Sequence, residues 1–248
     1  MGIFIKNDEQ TALMRRASHI VRETHELLAR HIKPGVTTGE LDKIAHDYIV
    51  SQDATPSFLG YRGYPASTCI SINNEVIHGI PGIRRLKSGD IVSIDVGACY
   101  QRFHGDAART HPVGEVSDTH QRLIDTAQKS FFEGIKYAKT GSRLHEISAA
   151  IGDHVEAQGF SVVEAWCGHG IGRQLHEDPQ IPHTRQDTRG PRLGPGMTLA
   201  IEPMINTGVG DTITQDDSWT VVTKDGGYSA HYENTVLITD GEPDVLTL

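Results

Sequence analysis

Four acidic residues and one histidine are the side chains of this chain whose spacing points most directly to chemistry. Asp95 lies in the segment LKSGDIVSIDVG, and LGPGMTLAIEPM aligns on that segment without gaps, so that Glu202 falls on Asp95. A second acid follows in each half, Asp106 in HGDAART and Glu233 in HYENTVLIT. The chain therefore has two repeated halves, each of which supplies two carboxylates.

The positions of these acids indicate a metal centre. Side chains alternate along a strand, so Asp95 shares a face with Ser93 and Gly97 and is expected to point to the interior. An ionised carboxylate buried there without a partner costs several kcal/mol, and four brought together also repel one another. Arg109, close after Asp106, is the one basic side chain on these strands that could serve as a partner. We therefore predict that divalent cations balance the acids.

His169, in CGHGIGRQLHE, is the fifth candidate ligand. Glycines on both sides allow close backbone approach, and its HGI tripeptide recurs at residues 78–80. One imidazole and four carboxylates suit Mn²⁺, Fe²⁺, Co²⁺ or Zn²⁺ better than a thiolate-preferring metal, whereas Ca²⁺ would want more carbonyl oxygens. Two such ions about 3.5 to 4 Å apart activate a water and polarise a carbonyl, which is chemistry suited to amide hydrolysis.

Helices in a repeated order precede the two carboxylate segments. The apolar periodicity and the capping residues predict a helix from a cap at Asp8 to about His31, and one from the Thr37 capping box to about Ser51. The second half predicts a helix from Ser117 to about Lys139 and a further one before Gly159. We expect a single catalytic domain over residues 1–248, with halves at roughly 8–112 and 117–248.

Composition excludes several classes of protein. A hydrophobic content of 37% with 22% charged residues is ordinary for a globular chain, and no apolar run approaches the roughly 20 residues of a membrane-spanning helix. The formal net charge of −9 disfavours direct nucleic-acid binding. The cysteines (Cys69, Cys99 and Cys167) are expected as reduced thiols, and the first residues lack the apolar core of a signal peptide. We predict a cytoplasmic protein that does not bind membranes.

Several longer motifs resemble those of the type I methionine aminopeptidases. They are SINNEVIHGIP, IDVGACYQRFHGDAART, GHGIGRQLHEDPQIPH, AIEPMI and SAHYENTVLIT, and the likeness runs through nearly the whole chain. The resemblance implies the pita-bread α/β (α+β) fold, in which two halves related by a pseudo-twofold axis form antiparallel sheet covered by helices. It also implies removal of the N-terminal methionine from nascent proteins and peptides whose second residue is small.

The same resemblance assigns the metal ligands. Asp95 would bind one of two divalent ions, Asp106 and Glu233 would bridge both, and His169 and Glu202 would complete the second. Glu202 would also act in catalysis by shuttling a proton.

The resemblance further assigns residues that contact substrate. His78 and His176 match two catalytic histidines that are not ligands, with His176 hydrogen-bonded to the carbonyl oxygen and His78 near the scissile nitrogen. The methionine side chain would lie among aromatic residues and a thiol, namely Tyr61, Tyr64, Cys69, Trp219 and Phe58. The partners implied are N-termini of nascent polypeptides, with contact to the ribosome left open, and we expect a monomer.

The chain departs from the family at positions that flank the pocket rather than the metals. Members often have Gly-Phe where this chain has Gln174-Leu175, Gln where it has His231, and a small residue or Cys where it has Phe58. These differences put the depth of the pocket in doubt and leave the metal chemistry intact.

Two other interpretations stay open from the sequence. A prolidase or aminopeptidase P shares the fold, but such chains usually carry a further N-terminal domain. A catalytically silent relative that binds protein or RNA would typically have lost metal ligands, and all five remain here.

Overall fold

Helices and strands follow the same order twice along residues 2–248, which the computed structural model describes. Each half opens with two helices and continues with strands. The helices are α1 (Asp8–Ala29), α2 (Thr38–Ser51), α3 (Asp118–Ile135) and α4 (Leu144–Ala157), with a short 3-10 helix at Tyr61–Gly63. The strands of the first half are β1 (Thr55–Pro56), β2 (Thr68–Ile72), β3 (Glu75–Ile77), β4 (Ile91–Tyr100) and β5 (Phe103–Pro112). The strands of the second half are β6 (Ser161–Val162), β7 (Gly168–Gly170), β8 (Glu177–Ile181), β9 (Thr198–Ile201), β10 (Met204–Asn206), β11 (Thr212–Thr214), β12 (Val221–Thr223), β13 (Ser229–His231), β14 (Asn234–Leu237) and β15 (Asp244–Val245).

The helix ends agree with the sequence except at two places. The Thr37 capping box and the Ser117 cap are present, but the cap of α1 is Asn7 rather than Asp8. The Asn7 side chain accepts the Gln10 N–H at 2.9 Å, and the Gln10 side chain accepts the Asn7 N–H in return, so Asp8 becomes the first helical residue. Helix α3 ends at Ile135, before the predicted Lys139, because the chain tightens into turns.

In the first half the helices cover one face of an antiparallel sheet. The sheet has the order β1-β4-β2, with β5 paired to β4 over ten residues of each strand. Ile94 and Val96 of β4 pack in a core with side chains of α1 and α2. Asp95, between them, therefore faces the opposite side, as the predicted alternation requires.

The second half has its own helices and its own core. Strands β15-β14-β9-β7-β8 form a five-stranded sheet, and β13-β10-β6 form a second one beside it. Side chains from α3 and α4 pack against β9, β10 and β14 in a buried core of which Phe131, Ile147 and Leu199 are members. The two halves thus bury separate helical faces and meet through their sheets.

The halves join along a seam between residues 106–110 of β5 and residues 231–235. At its centre the N–H groups of Ala108 and Glu233 donate to each other's carbonyl oxygens at 3.3 and 3.0 Å. On one side the Thr235 hydroxyl accepts the Asp106 N–H and donates to the Asp106 carbonyl, at 3.0 and 2.9 Å. On the other side the Thr110 hydroxyl makes the same pair of bonds to the His231 backbone, at 2.9 and 2.8 Å. The seam is therefore locally twofold.

This twofold relation supports the alignment of Asp95 with Glu202. Ala108 lies opposite Asp95 in the β4–β5 pair, and Glu233 lies opposite Glu202, one residue beyond the Asn234–Ile201 pair. The operation that exchanges Ala108 and Glu233 thus exchanges Asp95 and Glu202. The remaining acids are not equivalent, however, because the seam relates Asp106 to His231 and Glu233 to Ala108.

Candidate metal centre and active site

The predicted metal ligands lie around one cavity of about 790 Å³. Asp95 and Asp106 project from within β4 and β5, whereas Glu202 and Glu233 lie at the interruptions between β9 and β10 and between β13 and β14. His169 occupies the middle of β7, beside β9. Residues far apart in sequence are thus brought to the junction of the two halves.

The glycines next to His169 have a steric reason. A Cβ at Gly168 would lie 2.4 Å from the Ala200 carbonyl oxygen, and one at Gly170 would lie 2.1 Å from the Asp178 carbonyl oxygen. Since real Cβ atoms do not approach backbone so closely, only glycine lets β7 pass between its two neighbours. The close approach foreseen from the motif is therefore what holds His169 in place.

The geometry of His169 suits metal binding. Its Nδ1 lies 2.9 Å from the Gly170 carbonyl oxygen, to which it can only donate, so Nε2 is left with a free lone pair. Nε2 lies 3.5 Å from Glu202 Oε1. Ligand atoms of Asp106, His169 and Glu233 also lie within 4.8 Å of one another. A donor set of one neutral imidazole and carboxylate oxygens fits a divalent ion.

The electrostatics of the four acids are those of a site that a cation would stabilise. Burial is the main cause that raises the pKa of Asp95 and of Glu202 to about 7. Burial and the neighbouring acids raise the pKa of Asp106 and of Glu233 well above the usual range. Among the described residues no hydrogen-bond donor reaches Asp95 Oδ1, Asp106 Oδ1 or Glu233 Oε1, although all three atoms are buried. The residues present therefore fit divalent ions, which would satisfy these oxygens and hold the acids ionised.

Arg109, the one basic side chain foreseen as a partner, binds backbone and amide oxygens instead. Its guanidinium donates to the carbonyl oxygens of Ala108 and Glu233 and, at 2.6 Å, to Asn234 Oδ1. It also lies over the Tyr232 ring, 4.5 Å from the ring centroid. Arg109 thus ties the halves together rather than pairing with a carboxylate of the centre.

His78 lines the cavity from the first half. Its backbone has a positive φ of 60°, a left-handed conformation that is uncommon outside glycine. Its ring packs edge-on against Trp166, with centroids 5.2 Å apart, and burial lowers its pKa to about 4. The next residue must be glycine, because a Cβ at Gly79 would lie 2.4 Å from the Ile70 carbonyl oxygen. The loop therefore presents a neutral imidazole at a fixed place.

His176 lines the same cavity from the second half. Its Nδ1 lies 2.9 Å from the Tyr61 hydroxyl, and its ring centroid is 4.2 Å from that of His169. The following residue anchors the loop, since Glu177 accepts a 2.6 Å hydrogen bond from Lys6 in a buried ion pair. In the tautomer in which Nδ1 accepts the Tyr61 hydroxyl, the Nε2–H of His176 is free to bind an oxygen in the cavity.

The residues predicted to surround the methionine side chain lie around the same cavity. Phe58, Tyr61, Tyr64, Cys69 and Trp219 all line the cavity. The Tyr64 hydroxyl is fixed by the carbonyl oxygens of Thr68 and Gly79, at 3.0 and 2.9 Å, and the ring meets Trp219 edge-on. Burial raises the pKa of Cys69 well above the usual range, so the thiol is neutral. The result is an apolar pocket beside the acids.

The residues at which the chain departs from the family motifs differ in burial and in their contacts with the cavity. Leu175 is buried in a cluster with Phe58, Tyr64 and Cys69, so it shapes the pocket directly. Gln174 is exposed and does not line the cavity. The expectation that His231 flanks the pocket rather than the metals is wrong, because His231 does not line the cavity and its Nε2 lies 3.6 Å from Glu202 Oε2. Phe58 lies close against β4, where a Cβ at position 97 would be 2.8 Å from its ring.

Some residues at the centre were not singled out by sequence reasoning. Cys167 and Trp166 line the cavity, and the His183 ring lies 3.4 Å from the Glu202 N–H. Cys167 lies opposite Glu202, two residues beyond the His169–Ala200 pair, as Cys69 lies opposite Asp95, so the register of the equivalent strands is the signal that singles it out. His183 had no such signal.

The comparisons with known proteins agree with this geometry. The model of metallopeptidase family M24 matches residues 12–240. The fold and the site thus define a metallopeptidase, and the chain belongs to family M24.

Within that family, curated relatives of similar length to this chain are named methionine aminopeptidases. The chain is 54% identical to a methionine aminopeptidase of Clostridium perfringens and 51% identical to methionine aminopeptidase 1 of Bacillus subtilis, with 99% of both chains covered in each case. A crystal structure of methionine aminopeptidase from Rickettsia prowazekii superposes with a TM-score of 0.97 at 39% identity, covering 100% of both chains. The resemblance inferred from the motifs and the pita-bread fold are confirmed.

Proposed function

We propose that the protein removes the N-terminal methionine from peptides and newly made proteins whose second residue is small. The observation that supports this is one cavity in which four acids and His169 lie beside an apolar aromatic pocket and the imidazoles of His78 and His176. Sequence identities of 54% and 51% to methionine aminopeptidases, over 99% of the chain, support this proposal. These relatives do not favour the proline-directed alternative.

Two divalent ions are the proposed cofactor, drawn from Co²⁺, Mn²⁺, Fe²⁺ and Zn²⁺. Asp95 would bind one ion, His169 and Glu202 the other, and Asp106 and Glu233 both. When bound, such ions supply an activated water and polarise the scissile carbonyl.

The residues of the chain position the substrate and move its protons. The methionine side chain would enter the pocket of Phe58, Tyr64, Cys69 and Trp219, with Tyr61 holding His176. The free Nε2–H of His176 would donate to the carbonyl oxygen as negative charge develops on it.

Protons are handled on the other side of the scissile bond. Glu202 would take a proton from the attacking water and pass it to the departing amide nitrogen. His78 would lie near that nitrogen and orient it. Both residues line the cavity, His78 from the first half and Glu202 from the second.

The setting of the reaction is also a proposal. A substrate that is a newly made N-terminus supports a cytoplasmic protein, which we expect to act as one catalytic domain and as a monomer. Ribosome association stays a prediction. Among residues 2–248, none of the helices combines the length and the apolar composition of a membrane-spanning segment.

The experiment that tests this function measures N-terminal residue release from Met-Ala-Ser, Met-Lys-Ser and Ala-Pro-Ser. Chelator-stripped protein is compared with protein resupplied with Mn²⁺, Fe²⁺, Co²⁺ or Zn²⁺. We expect cleavage of Met-Ala-Ser alone, restored by metal. Cleavage of Ala-Pro-Ser would instead indicate a proline-directed enzyme, and no cleavage with any metal would indicate a silent binding protein.

A further inference from the structure

His231 lies at the metal centre but outside the five-ligand set. Its side chain is 2% exposed, and its Nε2 has no hydrogen-bond partner among residues 2–248. Nε2 lies 3.6 Å from Glu202 Oε2 and 4.0 Å from Glu233 Oε2. A buried polar atom aimed at two carboxylates without a bond to either needs an explanation.

The distances match donors that share one ion. Two ligand atoms bound to a metal at about 2.0–2.2 Å lie roughly 3 to 4.4 Å apart, whereas a hydrogen bond would be about 2.7–3.2 Å long. Glu202 has an imidazole on each oxygen, His169 at 3.5 Å from Oε1 and His231 at 3.6 Å from Oε2. Ligand atoms of Glu202, His231 and Glu233 also lie within 4.8 Å of one another.

The seam gives an independent reason. Thr110 holds the His231 backbone with the same two hydrogen bonds by which Thr235 holds the backbone of Asp106. His231 is therefore the twofold equivalent of Asp106, a residue that belongs to the centre. A side chain at this backbone position points to the same junction between the halves.

His231 lies outside the lining of the cavity in which substrate is proposed to bind. It lines a separate cavity of about 200 Å³, together with Arg109, His111 and Gln128. A ligand at this position would add to the coordination of an ion without occupying the lining of the large cavity.

We propose that His231 is a sixth ligand, which binds through Nε2 the ion held by Glu202 and Glu233. The inference rests on the proposed dimetal centre and refines it. A second imidazole makes the surroundings of that ion richer in nitrogen, which favours Zn²⁺ or Co²⁺ over Mn²⁺ compared with a centre that has an amide at this position.

The direct test counts the imidazoles bound to metal. Full-length protein labelled with ¹⁵N-histidine is stripped, loaded with two equivalents of Zn²⁺, and its histidine Nε2 resonances are followed by NMR. We expect two metal-bound resonances in the wild type, one in His231→Gln, and two in the control His111→Gln. His111 is a suitable control because it lines the same small cavity as His231. The charged group near His111 is Arg109, whereas the charged groups near His231 Nε2 are acids.

Metal affinity gives a second readout. Calorimetric titration should show Zn²⁺ binding weakened at least about tenfold in His231→Gln, with Mn²⁺ binding weakened less. A single metal-bound imidazole in the wild type overturns the inference without any variant, as does unchanged Zn²⁺ affinity in a folded His231→Gln. If that wild-type sample still cleaves Met-Ala-Ser, the proposed function stands while the sixth ligand fails.

Discussion

The two halves place their acids in different ways on the same topology. In the first half β4 and β5 are unbroken, and Asp106 lies opposite Gly97, two residues beyond Asp95. In the second half the corresponding strands are interrupted at the acids, and Glu202 and Glu233 lie opposite each other at the interruptions. One half therefore holds its acids in a regular ladder and the other holds them where the ladder stops.

The interruption has a consequence for the seam. Because Glu233 lies between β13 and β14, its N–H and carbonyl are free to bond with Ala108 across the halves. Equivalent backbone positions then carry unlike side chains, with His231 for Asp106 and Glu233 for Ala108. The backbone of the two halves thus follows the twofold symmetry at the seam, whereas the candidate ligand side chains do not.

The largest expected effect comes from removing one proposed bridging acid in each half. Asp106→Asn and Glu233→Gln should each weaken metal binding by more than about a hundredfold and abolish cleavage, since both ions would lose a ligand. The same variants should raise the melting temperature of chelator-treated protein, because one buried acid that repels its neighbours is gone. Calorimetry and thermal unfolding measure both. Metal loss in only one variant would show that the halves do not share the bridging role.

The next comparison uses the two cavity histidines, one from each half. His176→Ala should lower kcat by about 10²–10⁴-fold and leave metal affinity unchanged, because it removes a proton donor to the developing oxyanion. His78→Ala should likewise spare the metal. Release of metal by either variant would show that the division between ligands and substrate-binding histidines is wrong.

The two threonines of the seam predict a smaller effect, a similar loss of stability when either one is replaced by valine. Thr235→Val leaves the Asp106 N–H unpaired and Thr110→Val leaves the His231 N–H unpaired, so each should cost about 1–3 kcal/mol of unfolding free energy. Thr110→Val should lie at the upper end, because Ser93 also bonds to the Thr110 hydroxyl at 2.8 Å. Urea denaturation of metal-loaded protein measures the costs. A negligible cost in one variant alone would break the twofold description.

The last expected effect is a pH dependence of the stability of the metal-free protein. Burial raises the folded-state pKa of Asp95 and Glu202 to about 7, against about 4 when unfolded. Between these values the folded state binds more protons than the unfolded state, so stability is lost as pH rises from about 4 to 7. Urea denaturation with chelator at pH 5 and 7.5 should show it. Asp95→Asn and Glu202→Gln should each reduce the slope, and an unchanged slope in one of them would set the two equivalent acids apart.

Local patterns predicted much of this architecture. Ungapped repeats predicted the equivalence of Asp95 and Glu202, and capping residues predicted the starts of α2 and α3. The five ligand candidates lie around one cavity. The break in the second half had a signal in Pro203, whose missing N–H cannot continue a ladder. The seam had no signal in the sequence, because its register depends on contacts between segments more than a hundred residues apart. The position of His231 depends on this register, so it could not be predicted either.

The seam also sets the order in which the centre can form. Asp106 and Thr235 are 129 residues apart in sequence, and Thr110 and His231 are 121 apart. Such distant contacts are expected to form late in folding, because closing a long loop costs conformational entropy before the contacts can stabilise the chain. The first half can therefore build its hairpin early, whereas the metal centre is assembled only when the second half docks. In refolding, metal uptake should trail the gain of helix, so that metal binding would be a last step of the protein's own maturation.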